Sequence, residues 1–127
     1  MVIPKMFDLN EKVALITGAS RGIGASIAGV LSDFGANIIL SSRKEENLKK
    51  IELNIKNNGG RAKSYICNFG DIEQIKSLFK KIDSDYGRLD ILVNNAATNP
   101  FYGYVLDADE KVWDKTFDVN LKGPFFS

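Results

Sequence analysis

Short apolar runs alternate with helix-period segments along most of this chain. KVALITG (12–18) is short and nearly continuously apolar, the pattern of a parallel strand covered on both faces. After it Ile23, Ile27, Val30, Leu31 and Phe34 recur at helical spacing, which predicts a helix with these five on its inner stripe, closed by Gly35. NIILSS (37–42) predicts a second strand. Ser42 and Glu45 have capping-box spacing and open a second helix, with Leu48, Ile51 and Ile55 inside and a stop at NNGG (57–60). AKSYIC (62–67) predicts a third strand. Asp71 with Gln74 opens a third helix, with Ile72, Ile75, Leu78, Phe79 and Ile82 on one face and Gly87 past its end. DILVNNAA (90–97) predicts a fourth strand running into a polar turn. Asp107 with Glu110 opens a fourth helix carrying Trp113, Phe117 and Leu121, which Pro124 kinks or ends.

Strands alternating with helices in this order imply an α/β fold: a parallel sheet with right-handed crossovers and helices on both faces. There is no internal repeat or linker, so residues 1–127 read as a single domain. In such folds ligands bind outside the carboxyl ends of the strands, where the strand order reverses. The first strand-to-helix turn is TGASRGIG (17–24), with glycines at 18, 22 and 24. Gly18 permits a tight turn at positive φ, Gly22 a close approach by phosphates, and Gly24 close packing of helix on sheet. The helix start adds unpaired N–H groups and a partial positive charge, both suited to pyrophosphate.

Composition narrows the remaining chemistry. The 127 residues carry a net charge of +1, which gives no bulk electrostatic case for nucleic acid or an anionic membrane as partner. Cys67 is the single cysteine and histidine is absent. An internal disulfide, a Cys/His metal site and a Ser-His-Asp triad are therefore excluded, and no metal site is expected. No run approaches the roughly 18 apolar residues of a membrane span, and MVIPKMFDLNEK lacks a signal-peptide core, so the cytoplasm is the expected compartment.

The glycine spacing is G-x-x-x-G-x-G, which resembles the T-G-x-x-x-G-x-G turn of the short-chain dehydrogenase/reductase family at Thr17, Gly18, Gly22 and Gly24. NNAA (94–97) resembles the family's N-N-A-G, with Ala97 in place of the glycine. Asn120, in FDVNLKG, matches the family's fourth-helix asparagine. The resemblance covers the whole chain and implies a Rossmann-type doubly wound parallel sheet, here incomplete, with the first four β-α units. It implies hydride transfer between a nicotinamide cofactor and a small-molecule carbonyl or alcohol substrate. The segment from 94 to 123 is most similar to the carbonyl-reductase branch, with 3-oxoacyl-[acyl-carrier-protein] reductases as the near alternative.

The resemblance also assigns a site. Thr17, Gly18, Ser20, Arg21, Gly22, Ile23 and Gly24 form the pyrophosphate turn. Ser42 and Arg43 follow the second strand, Asn68 and Phe69 lie by the adenine, and Asn95, Ala96 and Ala97 lie by the nicotinamide. At the end of the second strand an NAD site usually has a carboxylate; LSSRK has none, and Arg43 with Arg21 suits a 2′-phosphate. The expected cofactor is thus NADP(H) rather than NAD(H).

Asn120 is the one family catalytic residue present, supporting a water-mediated proton path. The family's general acid/base lies in Tyr-x-x-x-Lys. Four residues after Tyr65, Tyr86, Tyr102 and Tyr104 stand Phe69, Asp90, Leu106 and Ala108. The expectation is the N-terminal half of a longer reductase, inactive alone and a homo-oligomer if the full-length domain exists. The alternatives are a non-catalytic dinucleotide-binding fragment and a remnant of such an enzyme, with a methyltransferase further off. Two further expectations concern surfaces. The fourth strand forms an open sheet edge, and Trp113, Phe117, Leu121, Phe125 and Phe126 lack part of their packing surface. Pro100, Phe101 and Tyr102 border the substrate pocket.

Overall fold

A computed structural model describes residues 2–127. Four parallel strands form one sheet in the order β3-β2-β1-β4. They are β1 (Val13–Thr17), β2 (Asn37–Ser42), β3 (Arg61–Ile66) and β4 (Ile91–Val93). The helices are α1 (Gly22–Asp33), α2 (Glu45–Asn57), α3 (Ile72–Tyr86), α4 (Glu110–Phe117) and α5 (Gly123–Phe126), with a π-helical segment at Asp118–Lys122. The alternation read from the sequence is therefore the Rossmann-like α/β arrangement observed.

The sheet has an apolar layer on each face. Ala14, Ile16, Ile38 and Leu40 pack on one side with Ala28, Leu48 and Ile55 of α1 and α2. Val13, Leu15 and Ile39 pack on the other with Ile75, Leu78 and Ile82 of α3. All five residues of β1 are buried, as two covered faces require. In register, Leu15 sits between Ile39 of β2 and Leu92 of β4.

Several boundaries differ from the sequence expectations. The inner face of α1 carries Gly24 and Ala28, with Ile27 and Leu31 half-buried against the core, whereas Ile23 and Val30 are 73% and 54% exposed. Small residues let this helix lie close to the sheet, and that proximity rotates the larger ones outward. Phe34 is the residue after α1, not part of its stripe. Ser42 does not cap α2. Lys44 occupies that position, and the Ser42 hydroxyl binds the Lys44 backbone instead, an alternative open to any serine near a helix start. Asp109, not Asp107, caps α4 by accepting from the Val112 N–H at 2.8 Å. Asp107 lies in a 3-10 turn, Val105–Asp107. Asp71 caps α3 as expected, accepting from the N–H groups of Glu73 and Gln74.

β4 ends at Val93, where the stretch 90–97 passes from strand into turn, and the N–H groups of Asn95 and Ala96 bond to a side chain. Thr17 Oγ1 accepts from Asn95 N and Ala96 N at 3.0 and 2.9 Å. α4 ends at Phe117, seven residues before Pro124, and helical backbone continues through the π segment into α5. Pro124 stands in the first turn of α5, the helix directly after the π segment. Among the described residues, no helix is long and apolar enough to cross a membrane.

Candidate functional site

The carboxyl ends of β1, β2, β3 and β4 converge on an open cleft of about 500 Å³. The glycine turn forms its floor. Gly18 has φ of +63°, and a Cβ there would stand 2.8 Å from the Ala96 Cα, so both the conformation and the space demand glycine. Gly22 has φ of +56°, and a Cβ added to it meets nothing within 4 Å, which leaves the turn open toward the cleft. Gly24 faces the other way. A Cβ there would meet Asn95 Nδ2 at 2.5 Å and the Gly18 carbonyl oxygen at 2.6 Å. The helix start at Gly22 has no side-chain cap, so its first N–H groups remain available to an anion.

Two residues hold the floor from beneath: Thr17, which does not line the cleft, and Asn95, which does. The Thr17 hydroxyl binds the Val93 carbonyl at 3.3 Å and holds the chain after β4 by the two N–H groups already named. Asn95 returns the contact, its Nδ2 donating to the carbonyls of Thr17 and Gly18 at 3.0 and 3.1 Å. Thr17, Gly24 and the Asn95 amide thus clamp the turn against the end of β4.

Most of the residues assigned from the sequence do line the cleft: Gly18, Ser20, Arg21, Gly22, Ile23, Ser42, Arg43, Asn68, Phe69, Asn95, Ala96 and Ala97. Ala97 does not take positive φ, so alanine costs no strain where the family motif has glycine. The Asn68 side-chain oxygen accepts from the Gly70 N–H at 3.0 Å and keeps a second lone pair. Asn120 is not in the cleft wall. Its amide forms a two-way bond with the Thr98 backbone, Thr98 N donating at 2.7 Å and the Thr98 carbonyl accepting at 2.8 Å.

The cleft has further walls that sequence reasoning missed: Lys44, Asn47, Cys67, Thr98 and Val119. Lys44 and Asn47 were accessible as a signal, since they follow Arg43 within one turn of α2. Thr98 and Val119 were not, because only the bond through Asn120 and the π segment bring them there. Burial and the nearby Asp71 carboxylate push the Cys67 thiol up to about 11, so it is a neutral, apolar wall residue. Tyr65 packs against the core under α3 and bonds Asp85 of that helix, and Tyr102 and Tyr104 are exposed outside the cleft; Pro100 and Phe101 also lie outside its wall.

Electrostatically, one rim is cationic. Arg21, Arg43 and Lys44 line it, and the ion pairs found among the described residues involve none of the three. Positive-φ glycine turn, open helix start and unpaired cations together fit a dinucleotide. No group of His, Cys, Asp or Glu among the described residues could hold a metal ion.

Comparison with known proteins agrees with this geometry. Residues 12–127 match the family model for short chain dehydrogenase. The chain is 40% identical over 116 residues to dehydrogenase/reductase SDR family member 4 of Homo sapiens, covering 91% of this chain and 42% of that protein. It is 41% identical over 114 residues to the Sus scrofa protein of the same name, covering 90% and 41%. It superposes on a metagenomic short-chain oxidoreductase (SDR) solved in complex with NADP, with a TM-score of 0.90, 39% identity and coverage of 93% and 53%. A putative short-chain alcohol dehydrogenase from Sinorhizobium meliloti 1021 gives 0.88, 41%, 94% and 47%. The chain spans less than half the length of the curated relatives named here. From its glycine turn to Asn120, the chain belongs to the short chain dehydrogenase family.

Proposed function

We propose that the cleft binds NADP(H) and that the chain is the cofactor-binding half of an oxidoreductase acting on a small carbonyl or alcohol, with the cytoplasm as its compartment. The observation that carries this reading is the cationic rim beside the glycine turn. Arg43 and Lys44 follow β2 where an NAD site places a carboxylate, and Arg21 approaches from the turn. A guanidinium fork binds a 2′-phosphate with charge-assisted hydrogen bonds that a bare ribose hydroxyl cannot match. The NADP complex of the 39% identical metagenomic structure supports the same choice.

When bound, the nicotinamide supplies the hydride acceptor or donor. The chain's own residues hold and orient it. The N–H groups at the start of α1 would hold the pyrophosphate, the Asn68 side-chain oxygen would accept from the adenine amino group, and the backbone of Asn95, Ala96 and Ala97 would hold the nicotinamide end. Asn120 braces Thr98 and thereby the loop that carries those residues. The reaction further needs a general acid/base, which the family draws from Tyr-x-x-x-Lys. None of the four tyrosines here precedes such a lysine, and none lines the cleft. That observation favours, as a second reading, a dinucleotide-binding unit without turnover of its own.

Titration of the purified chain with NADPH and NADH separates the outcomes. NADPH is expected to bind at least about tenfold tighter, a gap of ~1.4 kcal/mol. Arg43→Asp should abolish that preference. Equal affinity for both nucleotides, or a preference unchanged in Arg43→Asp, overturns the assignment to NADP(H). NADPH oxidation by the chain with a panel of carbonyls would overturn the inactive reading.

A further inference from the structure

The two ends of the cleft are joined by the seam between the loop 68–70 and the segment 118–123. Gly123 is buried, with φ of −55° and ψ of −56°, helical values that any residue adopts. Within a helix glycine is less favourable than alanine by about 1 kcal/mol. The backbone conformation therefore gives no reason for glycine at 123. Proximity does: a Cβ there would overlap the Phe69 carbonyl oxygen and stand 3.2 Å from its carbonyl carbon.

Gly70 faces the same seam from the other side. A Cβ on it would stand 3.1 Å from Val119 Cγ2. The segment that these glycines admit then does two things. Val119 enters the cleft wall, and Asn120, the next residue, holds both backbone groups of Thr98. Loop 68–70 and loop 95–98 belong to opposite ends of one cleft, and the π-helical segment touches both. Single π turns inside helices recur where a side chain must be aimed, at the cost of regular hydrogen bonding.

We propose that the Gly70–Gly123 seam sets the separation of the adenine and nicotinamide ends of the cleft, with Gly123 a positioning residue for the dinucleotide. This rests on the nucleotide reading above. A ligand that spans both ends senses their separation, whereas one confined to the adenine end re-seats with its loop. Displacements of the order of 1 Å are enough to cost large factors in such sites.

The test compares NADPH with 2′,5′-ADP, which carries the adenine half and the 2′-phosphate alone. For Gly123→Ala the Kd for NADPH is expected to rise about tenfold, with 2′,5′-ADP weakened less than about threefold. Gly70→Ala should show the same split more weakly, and adding Val119→Ala should remove it relative to Val119→Ala alone. Equal weakening of both ligands marks a merely structural role and overturns the proposal, as does unchanged NADPH binding. If Gly123→Ala loses its cooperative melt, the Gly70→Ala and Val119→Ala pair decides by the same criteria. A parent chain that binds neither ligand defeats the nucleotide reading, and this proposal with it. A parent that binds both, with variants that show no split, defeats this proposal alone.

Discussion

Ile39 and Leu92 stand on either side of Leu15 in the same apolar layer, yet they live in different surroundings. Ile39, on β2, is fully buried between β1 and β3. Leu92, on β4, pairs with β1 alone among the described strands and is only half-buried. The contrast extends outward. On the β2–β3 flank α2 closes over the sheet, and the Glu52 carboxylate reaches back to the backbone N–H of Ser64 at 3.0 Å. In α4 and α5, the helices that follow β4 in the chain, Trp113 and Phe125 remain 61% and 81% exposed. Similar apolar sequences thus end in unlike environments, because burial belongs to the neighbours a strand acquires rather than to its own composition. The glycine turn lies between the two flanks, held by Thr17 from β1 and Asn95 from the end of β4.

The largest expected effect tests that contrast directly. Ile39→Ala should cost about 3–4 kcal/mol of unfolding free energy, since it empties a fully enclosed site. Leu92→Ala should cost about 1–2 kcal/mol, because less area is withdrawn from water and solvent can refill the space. Urea denaturation of both variants reads the difference, and equal costs would mean that the β4 flank is packed as tightly as the β2 flank.

Next in size is a pH effect confined to the closed flank. Burial pushes the Glu52 carboxyl up, but hydrogen bonds from Lys56 and Ser64 and the charge of Lys49 outweigh it and hold it at about 2, below the ordinary 4.5. A carboxylate held lower in the folded state than in the unfolded one stabilises the fold above its unfolded value. That contribution should be complete above pH 4.5 and fall away as the pH drops toward 2. In Glu52→Gln the acid-side slope of stability over that window should be shallower. A slope identical to that of the parent would show that Glu52 is not the link between α2 and β3.

The smallest effect belongs to the helices that follow β4. Phe125→Ser should shift unfolding by no more than about 0.5 kcal/mol, as for most exposed positions. A loss several times larger, by thermal or urea melts, would show that the aromatic surface is covered in solution.

Much of the site was legible from spacing because its physics is local. Positive φ at Gly18, and the open start of α1, follow from three glycines between an apolar run and an amphipathic one, whereas the positive φ of Gly22 was not read from the sequence. The pair Arg21 and Arg43 could be placed from the turn and the end of β2. The role of Thr17 could not, since its partners lie 76–79 residues away in sequence. Nor could the bracing of Thr98 by Asn120, whose residue type was flagged but whose partner was not. The helix caps show the same limit at short range. Ser42, Asp107 and Asp109 are all competent capping residues, and only the packed chain selected among the alternatives for α2 and α4.

By itself, then, the sequence of this protein determined the alternation of strands and helices, the phosphate-suited turn and the sign of charge around it. These depend on side-chain period, backbone freedom and residue charge, all of which act within a few residues. Only the tertiary structure decided the strand order β3-β2-β1-β4, the outward turn of Ile23 and Val30, the short β4 and the seam at Gly70 and Gly123. Each of those depends on which distant backbone approaches closely enough to exclude a Cβ, capture an N–H or cover an apolar face.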